Sequence, residues 1–246
     1  MSGPDWLTAR PVAHRGLHDV ALGLIENTPS SIAAAVAANY AVEVDLQITA
    51  DGEAMVHHDD ALGRLTDGRG PLKAIDAAEL RRVAFKATAD HMISLGELCE
   101  LVAGRVTLVL ELKSHFDGDR RLPLRVVEVL RGYSGPVAVM SFDPGQIAAI
   151  RHAAPRLRRG LVAENNYRPQ HQDWSWFRSS AAYLRAGWDA RLKFLAYSVR
   201  DLPSPVPLTS RYVLGLPLLT WTVRNHEDRS RADRWADQII FEGFRP

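Results

Sequence analysis

Residues 106–113 read VTLVLELK, a short apolar run that ends in two charged residues two positions apart. A run of this length, bounded by charged residues, is typical of a buried β-strand. Seven further runs occur along the chain, with helix-like periodicity between most of them. They are Val12–Ala13, Ala41–Val42, Val137–Met140, Gly160–Ala163, Phe194–Val199, Leu216–Leu219 and Ile239–Phe241. Strands that alternate with helices predict βαβ units and a parallel sheet.

Eight strand candidates in 246 residues match the size of a (β/α)8 TIM barrel. A doubly wound sheet is the alternative, but no glycine-rich phosphate loop follows the first strand. We expect one barrel domain over residues 1–246, with a small insertion at roughly residues 50–92 that includes a short strand at Ala54–His57. Helices are predicted at Pro29–Ala38, Asp76–Val83, Leu95–Ala103, Leu122–Leu130, Asp143–His152, Trp174–Ala186 and Glu227–Trp235.

Two segments late in the chain have weaker patterns. Leu202–Pro207 contains three prolines and is interpreted as a loop that leads into the seventh unit. The aromatic residues between the fifth and sixth strand candidates are expected to pack a helix against the barrel. They are Trp174, Trp176, Tyr183 and Trp188.

The composition is that of an ordinary globular protein, with 46% hydrophobic and 24% charged residues. A net charge of +1 argues against general nucleic-acid binding, which needs clustered positive charge. The single Cys99 cannot form an intramolecular disulfide, and the first residues lack the apolar stretch of a signal peptide. We expect a cytoplasmic protein without stable membrane association; its oligomeric state is left open.

Polar or ionisable residues stand at the ends of most strand candidates, where the loops of a barrel meet at one face. Solvent exposure of strand ends explains one or two of them, but it does not readily explain Glu43 and Asp45, two positions apart. On a strand, both side chains point to the same side. With Glu111 and Glu26 they form an all-oxygen set typical of Mg²⁺ or Ca²⁺. A surface set of salt bridges is the alternative.

Two histidines extend this pattern. His14 follows the first strand, and Arg15 beside it could grip a phosphate or carboxylate. A lone histidine at a strand end is commonly a structural hydrogen-bonding residue, but His57 and His58 close the short extra strand. Because side chains alternate along a strand, only one of those two can face the barrel mouth.

Taken together, these residues resemble the glycerophosphodiester phosphodiesterase family. The resemblance covers residues 12 to about 241 and is densest in the first 115 residues. The segments that carry it are His14–Gly16, Glu26–Thr28, Glu43–Leu46, Asp51–Gly52, Val56–Asp60 with Leu62, Arg64–Thr66 with Gly70, Leu95–Leu98, Leu110–Lys113, Ser141–Phe142 and Trp221–Val223.

The resemblance implies a (β/α)8 barrel, one divalent cation and two catalytic histidines, His14 and His58. It implies metal ligands at Glu43, Asp45 and Glu111, with Glu26 as a weaker fourth. It also implies that Arg15 and Lys113 contact the phosphate, that Asn27 orients ligand or metal, and that Trp221 walls the substrate groove. Two departures stand out: Phe241–Glu242 replaces the family's frequent Thr-Asp pair, and Tyr167–Pro207 matches weakly.

The predicted activity is metal-dependent hydrolysis of a small-molecule glycerophosphodiester to glycerol 3-phosphate and an alcohol. Electrostatics agree, because four carboxylates against Arg15 and Lys113 leave two negative charges that a divalent cation would neutralise. Three alternatives remain open: a phospholipase of the C or D type on the same barrel, a barrel that binds a phosphorylated ligand without turnover, and an unrelated metal-dependent barrel such as an aldolase.

Overall fold

A computed structural model of the chain describes residues 5–165, 187–188 and 190–246. Its centre is a closed barrel of eight parallel strands, which confirms the predicted TIM barrel over the doubly wound sheet. The barrel closes because β1 pairs with both β2 and β11. In chain order the strands are β1 (Val12–Ala13), β2 (Ala41–Ile48), β3 (Ala54–Val56), β4 (Ala61–Leu62), β5 (Gly70–Pro71), β6 (Leu108–Leu112), β7 (Val137–Ser141), β8 (Arg158–Ala163), β9 (Phe194–Ser198), β10 (Leu218–Val223) and β11 (Gln238–Phe241). All except β3, β4 and β5 belong to the barrel.

Strand alternation separates two apolar layers. On β2, Val42 and Val44 pack outward with the surrounding helices, whereas Ala41 joins Val109 of β6 in the core inside the barrel. The same alternation turns Glu43 and Asp45 inward, above Ala41. Leu7, fully buried, packs in the inner core beside Val12. The barrel interior is therefore apolar at one end and acidic at the other.

Helices surround the barrel and mostly begin where capping residues predict. They are α1 (Pro29–Ala37), α2 (Ala77–Leu80), α3 (Leu95–Val102), α4 (Arg121–Leu130), α5 (Pro144–Ala153), α6 (Pro205–Tyr212) and α7 (His226–Trp235). Thr28 and Asp143 precede a first-turn proline in α1 and α5, and the Asp143 carboxylate accepts a hydrogen bond from the Gly145 amide at 2.7 Å.

The interpretation of Leu202–Pro207 as a loop is wrong for its second half. Helix α6 starts at Pro205, directly after the N-cap residue Ser204. Proline is compatible with the first turn of a helix because the amide groups there have no intrahelical acceptor. The cluster of prolines therefore marks the start of a helix, and only Leu202–Ser204 precedes it.

The helix predicted at Trp174–Ala186 lies outside the described residues, and with it Trp174, Trp176 and Tyr183. Trp188 was expected to pack, but it is 71% exposed. Trp188 stands ahead of the turn at residues 190–191 that leads towards β9, and most of its surface faces solvent.

The segment between β2 and α3 forms a small unit over one side of the barrel. Strand β3 pairs antiparallel with β2, and β4 with β5 makes a separate two-stranded sheet. The unit has an apolar cluster of its own, made of Ile25, Met55, Leu62, Leu72, Ala77, Leu80, Phe85 and Met92. This packing holds the residues after β3 at the rim of the barrel. Within the described ranges, no helix combines the length and apolar character needed to cross a bilayer.

Candidate active site

Three carboxylates meet inside the barrel at the carboxyl end of its strands. Glu43 and Asp45 come from β2 and Glu111 from β6, and the pairing of the strands sets Asp45 opposite Glu111. One oxygen of each carboxylate lies within 4.8 Å of one from each of the other two. Their exposed fractions are 0%, 1% and 8%, so little water reaches them. Like charges this close and this deeply buried require compensation.

The compensation is uneven across the cluster. Burial, followed by the charges of Asp45 and Glu111, raises the pKa of Glu43 well above its usual range. Burial would also raise the pKa of Asp45, but Lys113 and Arg15 outweigh it and hold that pKa well below the usual range. The Glu43 Oε1 atom is buried and has no hydrogen-bond partner in the part of the chain described. An unsatisfied carboxylate oxygen among acceptor-only groups fits a divalent cation.

Lys113 and Arg15 are the cations of the cluster. The Lys113 ammonium lies 2.7 Å from Asp45 Oδ1 and 2.5 Å from Glu111 Oε1. Burial would lower the pKa of Lys113, but these two carboxylates more than reverse the effect and raise it. The Arg15 Nε atom lies 3.2 Å from Asp45 Oδ2. Two permanently charged cations therefore border the carboxylates and leave the cluster suited to an anionic ligand once a metal is bound.

The turn after β1 is shaped to bring Arg15 to this place. Arg15 has a φ of 55°, in the left-handed region, and its amide donates to Glu43 Oε2 at 2.9 Å. Gly16 follows with a φ of 81°, and a Cβ there would lie 2.6 Å from the Ser31 hydroxyl. Glycine is thus required both by the backbone angle and by the contact with α1.

Asn27 holds Asp45 in position. Its Nδ2 donates to Asp45 Oδ2 at 2.9 Å, and its Oδ1 accepts from the Asp45 amide at 3.2 Å. Glu26, the preceding residue, accepts from Arg15 at 2.8 Å and from Arg64 at 2.7 Å. Glu26 is not part of the three-carboxylate cluster, and its role as a fourth ligand stays a prediction.

His14 borders the cluster on the side of β1. Its Nε2 lies 3.9 Å from Glu43 Oε2, and its Nδ1 makes a short contact with the Glu242 carboxylate at the end of β11. Arg224 binds the other oxygen of Glu242 at 2.6 Å. Burial would raise the pKa of Glu242, but the contact with His14 and the nearby His18 ring lower it far more. An ionised Glu242 therefore accepts from Nδ1–H and leaves the lone pair of a neutral His14 ring on Nε2, on the side of Glu43.

His58, after β3, has a closely similar environment. Its Nδ1 lies 2.9 Å from Asp59 Oδ1, and Arg64 donates to Asp59 Oδ2 at 2.7 Å. Burial opposes ionisation of Asp59, but Arg64 and His58 lower its pKa to about 2. Both imidazoles help to lower the pKa of Asp45. The two histidines therefore flank one carboxylate cluster, each with a carboxylate on Nδ1.

His57 and His58 differ as strand alternation requires. His57 is 2% exposed, and its amide donates to the Asp45 carbonyl at 3.0 Å. Burial, more than any neighbouring charge, lowers the pKa of its imidazole. The His58 side chain is 32% exposed and stands at the mouth. Of these two histidines, only His58 is in a position to meet a ligand from solvent.

Trp221 and Phe142 form an apolar wall. Their rings meet edge to face with centroids 5.5 Å apart, and both pack on the inner barrel core. Trp221 Nε1 is buried and lacks a hydrogen-bond partner among the residues described. The indole can therefore offer an apolar face to a bound molecule.

Several residues of this site were missed in the sequence. Glu242 stood out only as a departure from the family pattern, and Asp59 was part of a motif without a role. Arg64 and Arg224 had no assignment. Spacing offers a signal for Asp59, because it adjoins His58, but none for Glu242, which is 228 residues from His14.

The comparisons with known proteins agree with this geometry. A model of the Glycerophosphoryl diester phosphodiesterase family matches residues 14–244. The chain belongs to this family. A Glycerophosphodiester phosphodiesterase of Caldanaerobacter subterraneus is 25% identical over 235 residues, covering 89% of this chain and 88% of its own. Glycerophosphodiester phosphodiesterase 1 of Bos taurus is also 25% identical, covering 89% of this chain and 73% of its own. Membership makes the chain a phosphoric diester hydrolase.

Solved structures show the same fold. A phosphodiesterase of Oleispira antarctica in complex with the product sn-glycerol-3-phosphate superposes with a TM-score of 0.78 at 21% identity, covering 94% of this chain and 91% of its own. A glycerophosphodiester phosphodiesterase of Thermotoga maritima superposes with a TM-score of 0.72 at 20% identity, covering 94% of each chain. These likenesses support the barrel, whereas the family assignment rests on the sequence match.

Proposed function

We propose that the enzyme hydrolyses glycerophosphodiesters to sn-glycerol 3-phosphate and an alcohol, with a divalent cation and with His14 and His58 as the acid–base pair. One observation carries the proposal: a buried carboxylate cluster with an unsatisfied Glu43 oxygen lies between two histidines whose Nδ1 atoms are held by carboxylates. The product bound to the Oleispira antarctica phosphodiesterase supports the choice of substrate class.

Glu43, Asp45 and Glu111 are the proposed metal ligands. Their oxygen-only donor set favours Mg²⁺ or Ca²⁺ over zinc. When bound, such an ion neutralises the carboxylates and supplies a Lewis acid for the phosphoryl oxygen. Asn27 keeps Asp45 oriented towards the cluster through its two hydrogen bonds. Without a cation, the raised pKa of Glu43 favours its protonated form.

Arg15 and Lys113 are the proposed phosphate contacts. Both border the carboxylates on the inside of the barrel, and both keep their charge at neutral pH because neighbouring carboxylates raise their pKa values against the effect of burial. Their donors can bind the two non-bridging oxygens of a phosphodiester. Trp221 would pack against the glycerol or the leaving alcohol with its exposed edge.

The two histidines complete the chemistry. Hydrolysis requires removal of a proton from the nucleophile and delivery of a proton to the leaving alkoxide. The Nε2 atoms of His14 and His58 are suited to these steps, because Glu242 and Asp59 contact each Nδ1 and orient the two rings. The nucleophile is water or the glycerol hydroxyl next to the phosphate, which would form a transient cyclic phosphate.

The test is release of glycerol 3-phosphate from glycerophosphocholine before and after chelation. We expect chelation to abolish turnover and Mg²⁺ or Ca²⁺ to restore it. Glu43→Gln, Asp45→Asn and Glu111→Gln should each lose metal binding. Glu53→Gln is the matched control, because Glu53 follows β2 but pairs with Arg125 on the outside of the barrel. Full activity in excess chelator, with metal removal verified, would contradict the proposal.

A substrate panel separates the remaining alternatives. Turnover of glycerophosphocholine, glycerophosphoethanolamine and glycerophosphoglycerol within roughly 30-fold in kcat/KM is expected, since no group in the described site is committed to one alcohol. Binding without turnover would support a non-catalytic barrel. Faster cleavage of dispersed phospholipid than of these diesters would support a phospholipase.

A further inference from the structure

A second group of metal-ligating side chains lies beside the carboxylate cluster, on the other side of the His14 ring. His14 and His18 come from the turn after β1, and Glu242 follows β11. One ligand atom of each lies within 4.8 Å of the others. We propose that these three residues form a binding site for a transition metal ion of the Zn²⁺ class, and that its occupation inhibits the enzyme.

The positions of the three side chains carry the proposal. His18 Nε2 lies 3.6 Å from Glu242 Oε2, the same oxygen that contacts His14 Nδ1. His18 Nε2 is buried and makes no hydrogen bond with any residue that the structure describes. Ligands about 2 Å from a tetrahedral zinc lie roughly 3–3.5 Å from each other, so small side-chain shifts suffice to close this site.

The surroundings leave space for an ion and its water. A cavity of about 280 Å³ opens beside the group and is lined by Gly16, His18, Asp19, Glu242 and Phe244. A catalytic or exchangeable zinc site commonly has three protein ligands with water in the fourth position. Arg224 binds Glu242 Oε1 and leaves Oε2 directed at the two histidines. The carboxylate is therefore already oriented for an ion at Oε2.

The donor chemistry separates this site from the carboxylate cluster. Two imidazole nitrogens and one carboxylate suit Zn²⁺ and other late transition metals, whereas three carboxylates suit Mg²⁺ or Ca²⁺. The two sites share no ligand, since His14 uses Nδ1 here and turns Nε2 towards Glu43. Zinc can thus bind while the carboxylate cluster holds a hard cation.

Inhibition follows from which nitrogen of the His14 ring carries the proton, and this part rests on the proposed function. A neutral imidazole has one proton and one lone pair. With the Glu242 carboxylate as acceptor at Nδ1, a neutral His14 ring carries its proton on Nδ1 and its lone pair on Nε2. Zinc takes the lone pair of Nδ1, so the single ring proton is then on Nε2. His14 can no longer accept a proton there, and its part in the acid–base cycle is lost.

The experiment is a zinc titration of the tag-free enzyme at saturating Mg²⁺ or Ca²⁺, for wild type, His18→Ala and His152→Ala. His152 is a surface histidine on α5 and serves as the matched control. Without zinc, we expect His18→Ala to keep wild-type activity within about threefold, because His18 has no place in the proposed acid–base chemistry. Its half-inhibitory zinc concentration should rise about 10- to 100-fold. His152→Ala should be inhibited like wild type.

Equilibrium dialysis with zinc, at the same Mg²⁺ or Ca²⁺ concentration, provides a readout that needs no activity. Wild type and His152→Ala should bind one tight equivalent that His18→Ala and Glu242→Gln lose. Unchanged inhibition of His18→Ala would overturn the proposal and point to competition at the carboxylate cluster. Zinc bound through His18 without inhibition would overturn its inhibitory role. Absence of hydrolysis before zinc is added would count against the proposed function, while the dialysis result would still decide the site.

Discussion

The two histidines of the site have matching partners that the chain supplies in opposite ways. His58 binds Asp59, its neighbour in sequence, and Arg64 a few residues later binds that carboxylate. His14 binds Glu242, 228 residues away, and Arg224 from the end of β10 completes the set. We call each histidine with its carboxylate and arginine an arm. The His58 arm is thus local in sequence, and the His14 arm exists only because β1 and β11 pair when the barrel closes. The same chemical unit can therefore arise from adjacent residues or from the fold.

Burial also distinguishes the two arms. The His14 side chain is 13% exposed and the His58 side chain 32%. Solvent weakens electrostatic interactions and can replace a lost hydrogen bond. We therefore expect the His14 arm to depend strongly on its carboxylate and the His58 arm to tolerate its loss. Four measurements test this difference, beginning with the histidines themselves.

Replacing either histidine should produce the largest effect. His14→Asn and His58→Asn are each expected to lower kcat by about 10²- to 10⁴-fold, the usual contribution of a general acid or base. His57→Asn is the matched control and should remain within about tenfold, because His57 is buried away from the mouth. Steady-state kinetics with circular dichroism of each variant provides the measurement. A larger loss for His57→Asn than for His58→Asn would contradict the assignment of His58.

Glu242→Gln should rank next. The amide keeps the shape of the side chain but no longer stabilises a charged His14 or selects its Nδ1–H form. We expect kcat to fall about 10²-fold with KM changed little, as for other positioning carboxylates. Glu242→Asp should recover part of the loss if the charge is what matters. Equal activities of Glu242→Gln and wild type would mean that His14 does not need this partner.

Asp59→Asn should have a smaller effect, about tenfold on kcat. Asp59 and His58 are both partly open to water, which can accept the Nδ1–H in place of the carboxylate. The comparison of Asp59→Asn with Glu242→Gln under identical conditions is the direct test of the two arms. A greater loss in Asp59→Asn would reverse the ranking that burial predicts.

The smallest effect concerns stability in acid. Asp59 has a folded-state pKa of about 2, below its ordinary value near 4. Its ion pairs therefore stabilise the fold above about pH 4, and this contribution is lost as the pH falls towards 2. Because these groups are partly exposed, we expect a difference of at most about 1 kcal/mol in unfolding free energy between wild type and Asp59→Asn at pH 6. Urea unfolding at pH 6, 4 and 2 should show the difference vanish at the lowest pH; a constant difference would contradict the assignment.

Much of the carboxylate cluster could be anticipated from spacing. Two-residue periodicity on β2 turns Glu43 and Asp45 to one side, and the regular succession of strands sets Glu111 on the next barrel strand. The same alternation separates His57 from His58. These are short-range consequences of backbone geometry, so a single sequence suffices to predict them.

Helix α6 and Glu26 mark the limits of such patterns. The prolines at 203, 205 and 207 indicate a loop or a first helical turn equally well, and packing of α6 against β9 and β10 decides between them. Glu26 is a ligand candidate by composition, yet the fold brings Arg15 and Arg64 to its carboxylate. Neither guanidinium contact has a signature in the spacing of the residues.

The sequence by itself determined the strand–helix alternation, the inward carboxylates and the rule that only one of His57 and His58 faces the mouth, because each depends on geometry within a few residues. Only the tertiary structure decided that Glu242 meets His14, that Arg224 fixes this carboxylate and that His18 lies beside both. These contacts depend on the closure of the barrel between its first and last strands, which brings together residues more than 200 positions apart. Chain separation of that size leaves no local pattern, since the contact is made by the register of β1 and β11 and not by the residues between them.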